Sequence, residues 1–392
     1  MGLTAAASEA SFEELGGWPG VLGRLLAGQG LSVAEAELAV SQVLGGQATP
    51  AQVAAFAVAL RAKGETVEEM TGFVRAFLDH AEPLHVDGDV VDTCGTGGDR
   101  SASINVSTIA ALVVAGAGVP VCKHGGRAAS SSVGSADVLE ALGVVIDLGP
   151  AGVARCVAEA GIGFCFAPRF HPAMRHVVPV RRELGIATVF NFLGPLANPA
   201  RARLQLVGVS DPAMAPKMLG VLVANGARRA MVVHGADGLD ELSTSGPSDV
   251  LFFDAAAAAP PDGPAGPGGA GGPAAGGAGP GGAGPASSAA GLDPRVRRLS
   301  VDPAAFGLAP AVVADLRGGD AATNAALARR VLEGAQGPHR DVVLLNAAAA
   351  LVVAGEAEDV AGGLSLATDA LDSGRAAAVL DRLVAVSRAA ER

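Results

Sequence analysis

Two polar segments of the sequence carry residues that could bind phosphate. The first, DTCGTGGDRSASINVST at residues 92 to 108, follows a short apolar run and leads into an alanine-rich one. Glycines let backbone amides approach an anion, and a helix start adds free amides and a positive dipole end. Helix capping alone would explain one polar residue at this helix start, but there are four, Ser103, Asn105, Ser107 and Thr108. The segment therefore predicts a phosphate site formed by Gly95, Gly97, Gly98, Ser103, Asn105, Ser107 and Thr108.

The second segment, KHGGRAASSSVGSAD at residues 123 to 137, again stands between an apolar strand and a helix. Lys123 offers a point charge and Arg127 a planar fork, and both suit phosphate oxygens. A lone cation would be a solvated surface charge, but two cations beside a serine cluster indicate a site for more than one phosphate. The hydroxyls of this cluster belong to Ser130, Ser131, Ser132 and Ser135.

Asp240 and Glu241 are adjacent carboxylates in the loop HGADGLDELS, which continues the apolar run AMVVHG. Several phosphates concentrate negative charge, and a divalent cation would share it. Oxygen ligands that are completed by phosphate and water suit magnesium. Ordinary surface acidity is the alternative interpretation of this pair.

A further set of polar residues lies among apolar ones between residues 166 and 199. An arginine in this segment could bind a carboxylate through two hydrogen bonds. The histidines lack the HExxH spacing of a zinc site, which favours a structural or contact role over metal binding. The polar residues are His171, Arg175, His176, Arg181 and Arg182.

Helical signals dominate the chain from Trp18 to about Leu84. Three segments open with a hydroxyl residue that is followed three positions later by Glu or Gln, which is the pattern of a capping box. Glycines separate these segments, and residues 1–88 are therefore expected to form a small all-helical domain. The pairs are Ser32 with Glu35, Thr49 with Gln52, and Thr66 with Glu69.

After Pro83, short apolar runs alternate with helical stretches. This alternation predicts an α/β domain over residues 89–392, with a largely parallel central sheet flanked by helices. A ligand should then lie at the carboxyl ends of the strands. Helices are expected around 346–353 and 376–388. The expected strands are 90–93, 119–123, 144–147, 163–167, 205–210 and 230–235.

Residues 255–291 consist almost wholly of Ala, Gly, Pro and Ser. Such a segment has little to bury and cannot offset the entropy of becoming ordered, so a disordered surface insertion is expected. Glycine does not keep a strict period of three, which excludes a collagen-like structure. The segment has no charge pattern and no aromatic anchors, and it is interpreted as a tolerated spacer.

Composition narrows the classes of function. The net charge of −11 gives no reason to expect binding to nucleic acid or to an anionic membrane. No secretory signal, membrane-spanning run, P-loop or complete dinucleotide fingerprint is found in the sequence, and a soluble, cytoplasmic protein is expected. The cysteines Cys94, Cys122, Cys156 and Cys165 lack CxxC spacing, so reduced, mostly buried thiols are expected.

Eight motifs together resemble the anthranilate phosphoribosyltransferase family. Their order and spacing agree with that family over nearly the whole chain outside the insertion. Only the combination is specific, since any one motif could occur elsewhere. The motifs are GTGGD at 95–99, NVST at 105–108, KHGGR at 123–127, GSADVLEALG from Gly134, HPAM at 171–174 with RRELG at 181–185, FNFLGPLANP from Phe190, and GLDE at 238–241.

The resemblance implies a homodimer whose subunits have the two-domain fold of the nucleoside phosphorylase and phosphoribosyltransferase type. Residues 168–198 would pack with the N-terminal domain, and phosphoribosyl pyrophosphate would bind in the hinge between the domains. Magnesium would be held by Ser107, Asp240 and Glu241. The donor would be bound by Gly95, Gly98, Asp99, Ser103, Asn105, Val106, Ser107, Thr108, Lys123, Arg127, Ser130, Ser131 and Ser135.

The same resemblance places anthranilate beside Gly95, His124, Gly126 and Arg181, with Arg181 at its carboxylate. Lys123, Asp240 and Glu241 would be catalytic, because Lys123 and the bound magnesium neutralise the pyrophosphate that leaves. Displacement at the anomeric carbon of ribose would follow by positioning and charge stabilisation, without a covalent side chain.

Two positions depart from the family pattern. Gly126 stands where KHGNR has asparagine, and Ala187 stands where LGIRT has arginine. A different aromatic acceptor is therefore one alternative. A pyrimidine nucleoside phosphorylase has a related design but is not expected to combine GLDE with NVST. Net acidity and scarce aromatics argue against a nucleic-acid-binding relative.

Overall fold

The computed structural model describes residues 11–99, 101–128, 133–258 and 292–391. The N-terminal helices are α1 (Gly17–Leu26), α2 (Val33–Leu44), α3 (Pro50–Lys63) and α4 (Val67–Asp79). The three predicted capping boxes are all confirmed. In each, the hydroxyl accepts a hydrogen bond from the backbone N–H three residues later, and the Glu or Gln side chain accepts from the cap's own N–H. Local sequence therefore sets where α2, α3 and α4 begin.

A seven-stranded sheet in the described residues has the order β3-β2-β1-β4-β5-β6-β7. Strands β1 to β5 pair parallel, and β6 and β7 add antiparallel pairs at one edge. This architecture confirms the expected fold class, a mainly parallel sheet with a helical N-terminal part. The strands are β1 (Val91–Gly95), β2 (Val121–Gly125), β3 (Ile162–Phe166), β4 (Leu204–Gly208), β5 (Arg229–Gly235), β6 (Ser248–Asp254) and β7 (Val296–Val301).

The remaining helices cover the sheet and connect its strands. The helices expected around 346–353 and 376–388 are found within α12 and α14. The ten helices that follow β1 in the described residues are α5 (Val106–Gly116), α6 (Ser135–Ala141), α7 (Pro150–Ala160), α8 (Ala167–Phe170), α9 (Val178–Leu184), α10 (Ala215–Ala224), α11 (Ala321–Leu332), α12 (Pro338–Ala354), α13 (Val360–Asp372) and α14 (Arg375–Ala390).

The two faces of the sheet bury two different apolar clusters. Along β4, Leu206 belongs to a cluster shared with α5, α12 and α14, whereas its neighbour Val207 belongs to a cluster shared with the N-terminal helices. Such alternation follows from the two-residue period of a strand. Residues 167–198 form short helical turns, and their Val180 and Phe190 join the second cluster. The division into domains at residue 88 stays a prediction.

The prediction of a strand at residues 144–147 is wrong. These residues form an extended loop between α6 and α7, in which Val144 and Ile146 are buried. The backbone N–H of Val145 donates to Ser387 Oγ of α14 at 3.1 Å. A short apolar run favours extended chain, but a helix lies beside this segment instead of a strand, and no ladder forms.

Strands β6 and β7, which the sequence did not predict, flank the Ala/Gly/Pro-rich insertion. Phe253 at the end of β6 pairs with Val296 at the start of β7. The insertion therefore joins two chain ends that lie side by side. Residues 259–291 lie outside the described residues, and the predicted disorder of 255–291 stays a prediction.

The expected reduced, buried state of the thiols agrees with the structure, in which all four cysteines are free and buried. Cys122 Sγ and Cys165 Sγ lie 3.3 Å apart on neighbouring strands. Within the described ranges, no helix combines the length and the apolar character needed to span a bilayer.

Candidate active site

A cavity of about 240 Å³ lies at the carboxyl ends of the parallel strands, where the sequence places the ligand. Gly98, Thr108 and Arg181 do not line it, and Ser130, Ser131 and Ser132 lie outside the described residues. The predicted site residues that line it are Gly95, Asp99, Ser103, Asn105, Val106, Ser107, Lys123, His124, Gly126, Arg127, Ser135, Asp240 and Glu241.

Asp240 occupies the space that a side chain at Gly95 would need. A β-carbon on Gly95 would lie 2.1 Å from Asp240 Oδ2, far inside van der Waals contact. The same carboxylate oxygen accepts a hydrogen bond from the Gly97 N–H at 2.7 Å. Glycine is therefore required at position 95 so that the loop holding Asp240 and Glu241 can pack against the end of β1. The sequence indicated a different reason, namely that glycine lets an anion approach the backbone.

The turn after β1 depends on glycine for a second reason. Gly97 and Gly98 have φ angles of 67° and 87°, in the left-handed region that residues with a β-carbon rarely adopt. Ser210 Oγ donates to Gly97 O at 2.9 Å and fixes the turn to the loop after β4. The free faces of the turn point to the cavity, since Gly95, Thr96 and Gly97 line it.

Helix α5 begins at Val106 and places its N-terminus in the cavity wall. The Asn105 side chain does not cap this helix. Its Nδ2 donates to Val133 O at 3.0 Å, and its Oδ1 accepts from Asn324 Nδ2 at 3.0 Å. The Ser107 N–H donates to Glu241 Oε1 at 3.2 Å, so a carboxyl group already lies at this helix start.

A segment from far along the chain holds the loop that precedes α5. Ile104 N–H donates to Leu316 O, and Gly318 N–H donates to Ala102 O, each at 2.9 Å. Together with the bond from Asn324 to Asn105, these contacts fix the loop before α5. No local signal in the sequence identified this support.

Lys123 lies beneath the start of α5 and is 2% exposed. Its ammonium group donates to the Thr93 carbonyl and, at 3.3 Å, to Ser107 Oγ. Its charge lowers the pKa values of Asp92 and Glu241, against the larger raising effect of burial. The structure thus places this cation among buried carboxylates at the floor of the site.

The described residues do not supply enough positive charge to hold both Asp240 and Glu241 in the ionised form near pH 7. Burial, and then the charge of Asp99, raise the pKa of Asp240 to about 7. Burial and the charge of Asp240 raise the pKa of Glu241 to about 8. Carboxylates that crowd together in this way favour a bound cation. The described residues nevertheless contain no group of three or more His, Cys, Asp or Glu able to hold a metal alone.

Arg127 borders the cavity, but its guanidinium is paired with acidic residues of α6 in this structure. Its Nη1 lies 2.8 Å from Asp137 Oδ1 and 2.8 Å from Glu140 Oε2, and the side chain is exposed. Asp137 also accepts hydrogen bonds from the N–H groups of Ala128 and Gly134. Sequence proximity therefore grouped Arg127 with Lys123, while the fold pairs it with acidic residues of α6.

His124 and His171 form a buried edge-to-face pair whose ring centroids are 5.1 Å apart. His124 Nδ1 lies 2.9 Å from Gly194 O, and His171 Nε2 lies 3.0 Å from Ala197 O. Burial, and then the neighbouring His171, lower the pKa of His124 to about 3. Burial lowers the pKa of His171 to about 4. Both rings are neutral near pH 7, which agrees with a structural or contact role.

Arg181 on α9 is the predicted contact for the acceptor's carboxylate. Burial lowers its pKa, and its guanidinium has no hydrogen bond or ion pair to another described residue. A partly buried guanidinium without a protein partner is suited to an anionic ligand. Near the other predicted acceptor contact, a β-carbon at Gly126 would meet only Ala167 Cβ at 3.8 Å, an ordinary contact distance.

Two residues that sequence reasoning did not assign to the site support it from below. Asp92 is fully buried, and its Oδ1 accepts from the His124 N–H at 3.1 Å. Asn198 Nδ2 donates to Asp92 Oδ2 and to Cys122 O, each at 2.8 Å. Both residues stand in quoted motifs, but their contact spans 106 positions and had no signal in the sequence.

Comparisons with known proteins agree with this geometry. The family model described as "Glycosyl transferase family, a/b domain" matches residues 87–258 and 283–377. The model described as "Glycosyl transferase family, helical bundle domain" matches residues 19–81. The break in the first match falls within the Ala/Gly/Pro-rich insertion.

Curated relatives and solved structures are similar over nearly their whole lengths. The anthranilate phosphoribosyltransferase of Thermomicrobium roseum is 50% identical over 94% of this chain and 97% of its own, and that of Salinispora arenicola is 48% identical over 95% and 97%. The crystal structure of the Thermus thermophilus enzyme of that name has a TM-score of 0.80 at 39% identity, covering 94% of this chain and 99% of that one.

The Saccharomyces cerevisiae enzyme of the same name, in complex with PRPP and Mg, has a TM-score of 0.78 at 25% identity, covering 95% and 98% of the two chains. The helical and α/β parts of the fold, the cavity at the strand ends and the sequence identity all indicate the same family. The chain belongs to the anthranilate phosphoribosyltransferase family of pentosyl-transferring enzymes.

Proposed function

We propose that this protein transfers the phosphoribosyl group of phosphoribosyl pyrophosphate to the amine of anthranilate, releasing pyrophosphate. One observation carries the proposal for the site. The crowded carboxyls of Asp240 and Glu241 line one cavity together with the N-terminus of α5 and a glycine turn. Such a cavity offers amides to phosphate oxygens and carboxylates to a cation that phosphate would share.

The donor's phosphates are proposed to contact the cavity wall formed by the turn after β1, the start of α5 and the start of α6. Ser135 Oγ already accepts a hydrogen bond from Thr108 Oγ1 at 3.0 Å, which orients its lone pairs and its own proton. Ser101 Oγ donates to Asp99 Oδ2 at 2.8 Å and lies 3.0 Å from Ser103 Oγ, from which it can accept. Ser101 therefore joins the predicted phosphate residues.

Magnesium fits the donor set of the site. Ser107, Asp240 and Glu241 all offer oxygen, the ligand atom that this hard cation prefers. Three protein ligands leave the other coordination positions of the ion for phosphate and water. The described residues contain no larger cluster of His, Cys, Asp or Glu that would fill those positions. When bound, magnesium would neutralise charge on the pyrophosphate leaving group. Magnesium would also offset the charges of Asp99 and Asp240, which together with burial raise the pKa values of Asp240 and Glu241.

The acceptor is proposed to bind with its carboxylate at Arg181 and its ring near His124 and Gly126. Arg181 has the free guanidinium that this role needs. His124 is neutral, so it adds no charge beside the aromatic ring. Because Gly126 leaves its side-chain position open, a water molecule can take the place of the family's usual amide.

The chemistry requires no covalent intermediate on the protein. The anthranilate nitrogen forms a bond to the anomeric carbon of ribose as the bond from that carbon to pyrophosphate breaks, and the nitrogen then loses a proton. The protein's part is to hold both reactants in line and to stabilise charge on the leaving group. Lys123 contributes from the floor of the site, where it offsets the charge of Glu241.

The loss of anthranilate fluorescence on mixing protein, phosphoribosyl pyrophosphate and magnesium tests the proposal. Prompt loss that requires all three components supports donor, acceptor and metal together. A folded protein that binds the donor but leaves anthranilate fluorescence unchanged would contradict anthranilate as the acceptor. Phosphorolysis of thymidine or uridine in the same preparation would contradict phosphoribosyl transfer.

The homodimer and the cytoplasmic location that were expected from the sequence belong to the same proposal. Sedimentation equilibrium of the purified protein should give twice the mass of one 38.4 kDa chain. Fractionation of the source cells should recover the protein in the cytoplasmic fraction. A monomer at micromolar concentration, or recovery with membranes, would contradict these two parts.

A further inference from the structure

A second, larger cavity of about 470 Å³ lies near the amino ends of β4 and β5, at the opposite end of the sheet from the phosphate cavity. Helices α2 and α4 form one side of it, and the end of α10 with residues 196–205 forms the other. The two cavities share no lining residue. The polar residues that matter most are Glu37, Arg75, Asp79, Asn198, Arg201 and Gln205.

Gln205 presents a buried acceptor to this cavity. It stands on β4 between Asp92 of β1 and Ala230 of β5, and it is 2% exposed. Its Oε1 has no hydrogen-bond partner among the described residues. A buried carbonyl oxygen without a partner is costly, and such groups in folded proteins are usually satisfied by a ligand or water. The cavity therefore needs a hydrogen-bond donor at Gln205.

Glu37 of α2 presents a second unsatisfied acceptor. In the described part of the chain its carboxylate makes no hydrogen bond and no ion pair within 4.0 Å, although it is partly buried. Burial, and then the charge of Asp79, raise its pKa, and the charge of Arg75 opposes that rise. Two acceptors, one of them anionic, thus face the same space. A cationic donor would satisfy both.

Arg75 of α4 supplies the opposite charge. Its hydrogen bond to the described residues is one from Nε to Asn225 Oδ1 at 3.3 Å, which leaves its terminal nitrogens free to donate. It lies close enough to Glu37 to affect that residue's pKa, yet the two do not form an ion pair. A bound group that carries both charges would fit between them. Asp79 and Arg201 do pair, at 3.1 Å.

The packing of the helices fixes this arrangement. A β-carbon at Gly72 of α4 would lie 2.2 Å from the Val33 carbonyl of α2, so the two helices approach closely here. Glu37 and Arg75 stand on these helices about one turn beyond that contact. Apolar side chains of Leu78, Leu196 and Leu222 complete the wall. The cavity is thus built by rigid elements and offers both charges beside an apolar surface.

We propose that this cavity binds an α-amino acid with an apolar side chain. The ammonium group lies against Glu37 and Gln205 Oε1, the carboxylate against Arg75, and the side chain against the leucines. The proposal is independent of the transferase reaction, since none of these residues belongs to the phosphate cavity.

Isothermal titration calorimetry of the full chain with L-leucine, L-phenylalanine and L-tryptophan tests the proposal. We expect one or more of these to bind at one per chain. Phenethylamine and 3-phenylpropionate, which each lack one charged group of phenylalanine, should not bind at tenfold higher concentration. Absence of binding by all three amino acids would overturn the proposal, as would equal binding of either single-charge analogue.

Substitutions of Glu37 and Arg75 test whether the amino acid binds in this cavity. Glu37→Gln and Arg75→Gln should each weaken binding at least tenfold, while the matched changes Glu68→Gln and Arg61→Gln, at exposed positions of α4 and α3, should leave it unchanged. Binding should persist with saturating magnesium and phosphoribosyl pyrophosphate. Unchanged affinity in both cavity variants, or displacement by the donor, would overturn the assignment. Because the readout is heat of binding, it does not depend on transferase activity.

Discussion

A β-carbon at Gly208, the last residue of β4, would lie 1.6 Å from the backbone carbonyl oxygen of Asp240. The backbone of Asp240 therefore packs directly against the end of β4, and the side chain of Asp240 packs against Gly95. Two strand-end glycines thus determine where the proposed metal ligands stand. Asp240 can occupy this position only because Gly95 and Gly208 have no β-carbon.

Gly208→Ala should displace Asp240 by an ångström or more and lower kcat/KM by about 100-fold, because catalysis by positioning is sensitive to such shifts. Steady-state kinetics, with circular dichroism to confirm folding, provides the measurement. Gly23→Ala is the control, since a β-carbon there meets nothing within 4 Å. Full activity of Gly208→Ala would show that the loop can sit elsewhere.

Asp240→Asn and Glu241→Gln should each raise the magnesium concentration for half-maximal activity, by about tenfold or more, because each removes one charged oxygen ligand. A magnesium titration of the initial rate measures this effect. Asp249→Asn changes an exposed carboxylate on β6 and should have no effect. Turnover that stays intact at low magnesium in both site variants would make the metal assignment wrong.

Arg181→Leu should raise the KM for anthranilate by about tenfold or more while leaving the KM for the donor unchanged, since a charged hydrogen-bonded pair is lost at the acceptor alone. Varying each substrate separately gives both constants. The neighbouring Arg182→Leu, at an exposed position, is the matched control. An equal rise of both KM values would indicate a general disturbance instead.

Acid should destabilise the protein through the histidine pair. Because burial lowers the pKa of His171 from 6.5 to about 4, its stabilising contribution is complete above pH 6.5 and is lost as pH falls toward 4. The loss for this residue is roughly 3 kcal/mol.

Urea unfolding at several pH values measures this effect. His171→Gln should show a shallower dependence of the free energy of unfolding on pH, whatever its stability at pH 7. Exposed His85, changed to Gln, should keep the wild-type slope. An unchanged slope in His171→Gln would assign the acid sensitivity to other groups.

Deleting residues 257–288 should leave kcat/KM within about twofold of the wild-type value and should not lower the melting temperature, because shortening a loop reduces the entropy of closing it. Phe253 and Val296 pair directly on either side, so the shorter connection has little distance to span. Kinetics and differential scanning calorimetry test this. A large loss of activity or stability would show that the segment contributes contacts.

Sequence reasoning succeeded where the physical cause is local. Ser32 and Glu35 are three positions apart, so their capping box could be found without knowing the fold. The apolar runs that became β1, β2, β3, β4 and β5 were also found, since buried parallel strands are continuously apolar. Their shared edge then placed Lys123, Ser107 and Glu241 around one cavity.

Features that depend on distant partners were missed. Residues 144–147 have a strand-like pattern, but the chain next to them is α14. The sequence could not show that Asp137 and Glu140 pair with Arg127 while Lys123 remains buried. Nor could it show that Asn198 supports Asp92. Each outcome was decided by which residues the fold brings together.

The hairpin between β6 and β7 also has a practical consequence. Its strand ends are held in register by the pair Phe253 and Val296, at the sheet edge and away from the phosphate cavity. The free energy of closing a loop grows only with the logarithm of its length. A folded reporter, such as a fluorescent protein whose termini are adjacent, could therefore be fused within this connection while the strand-end site keeps its shape.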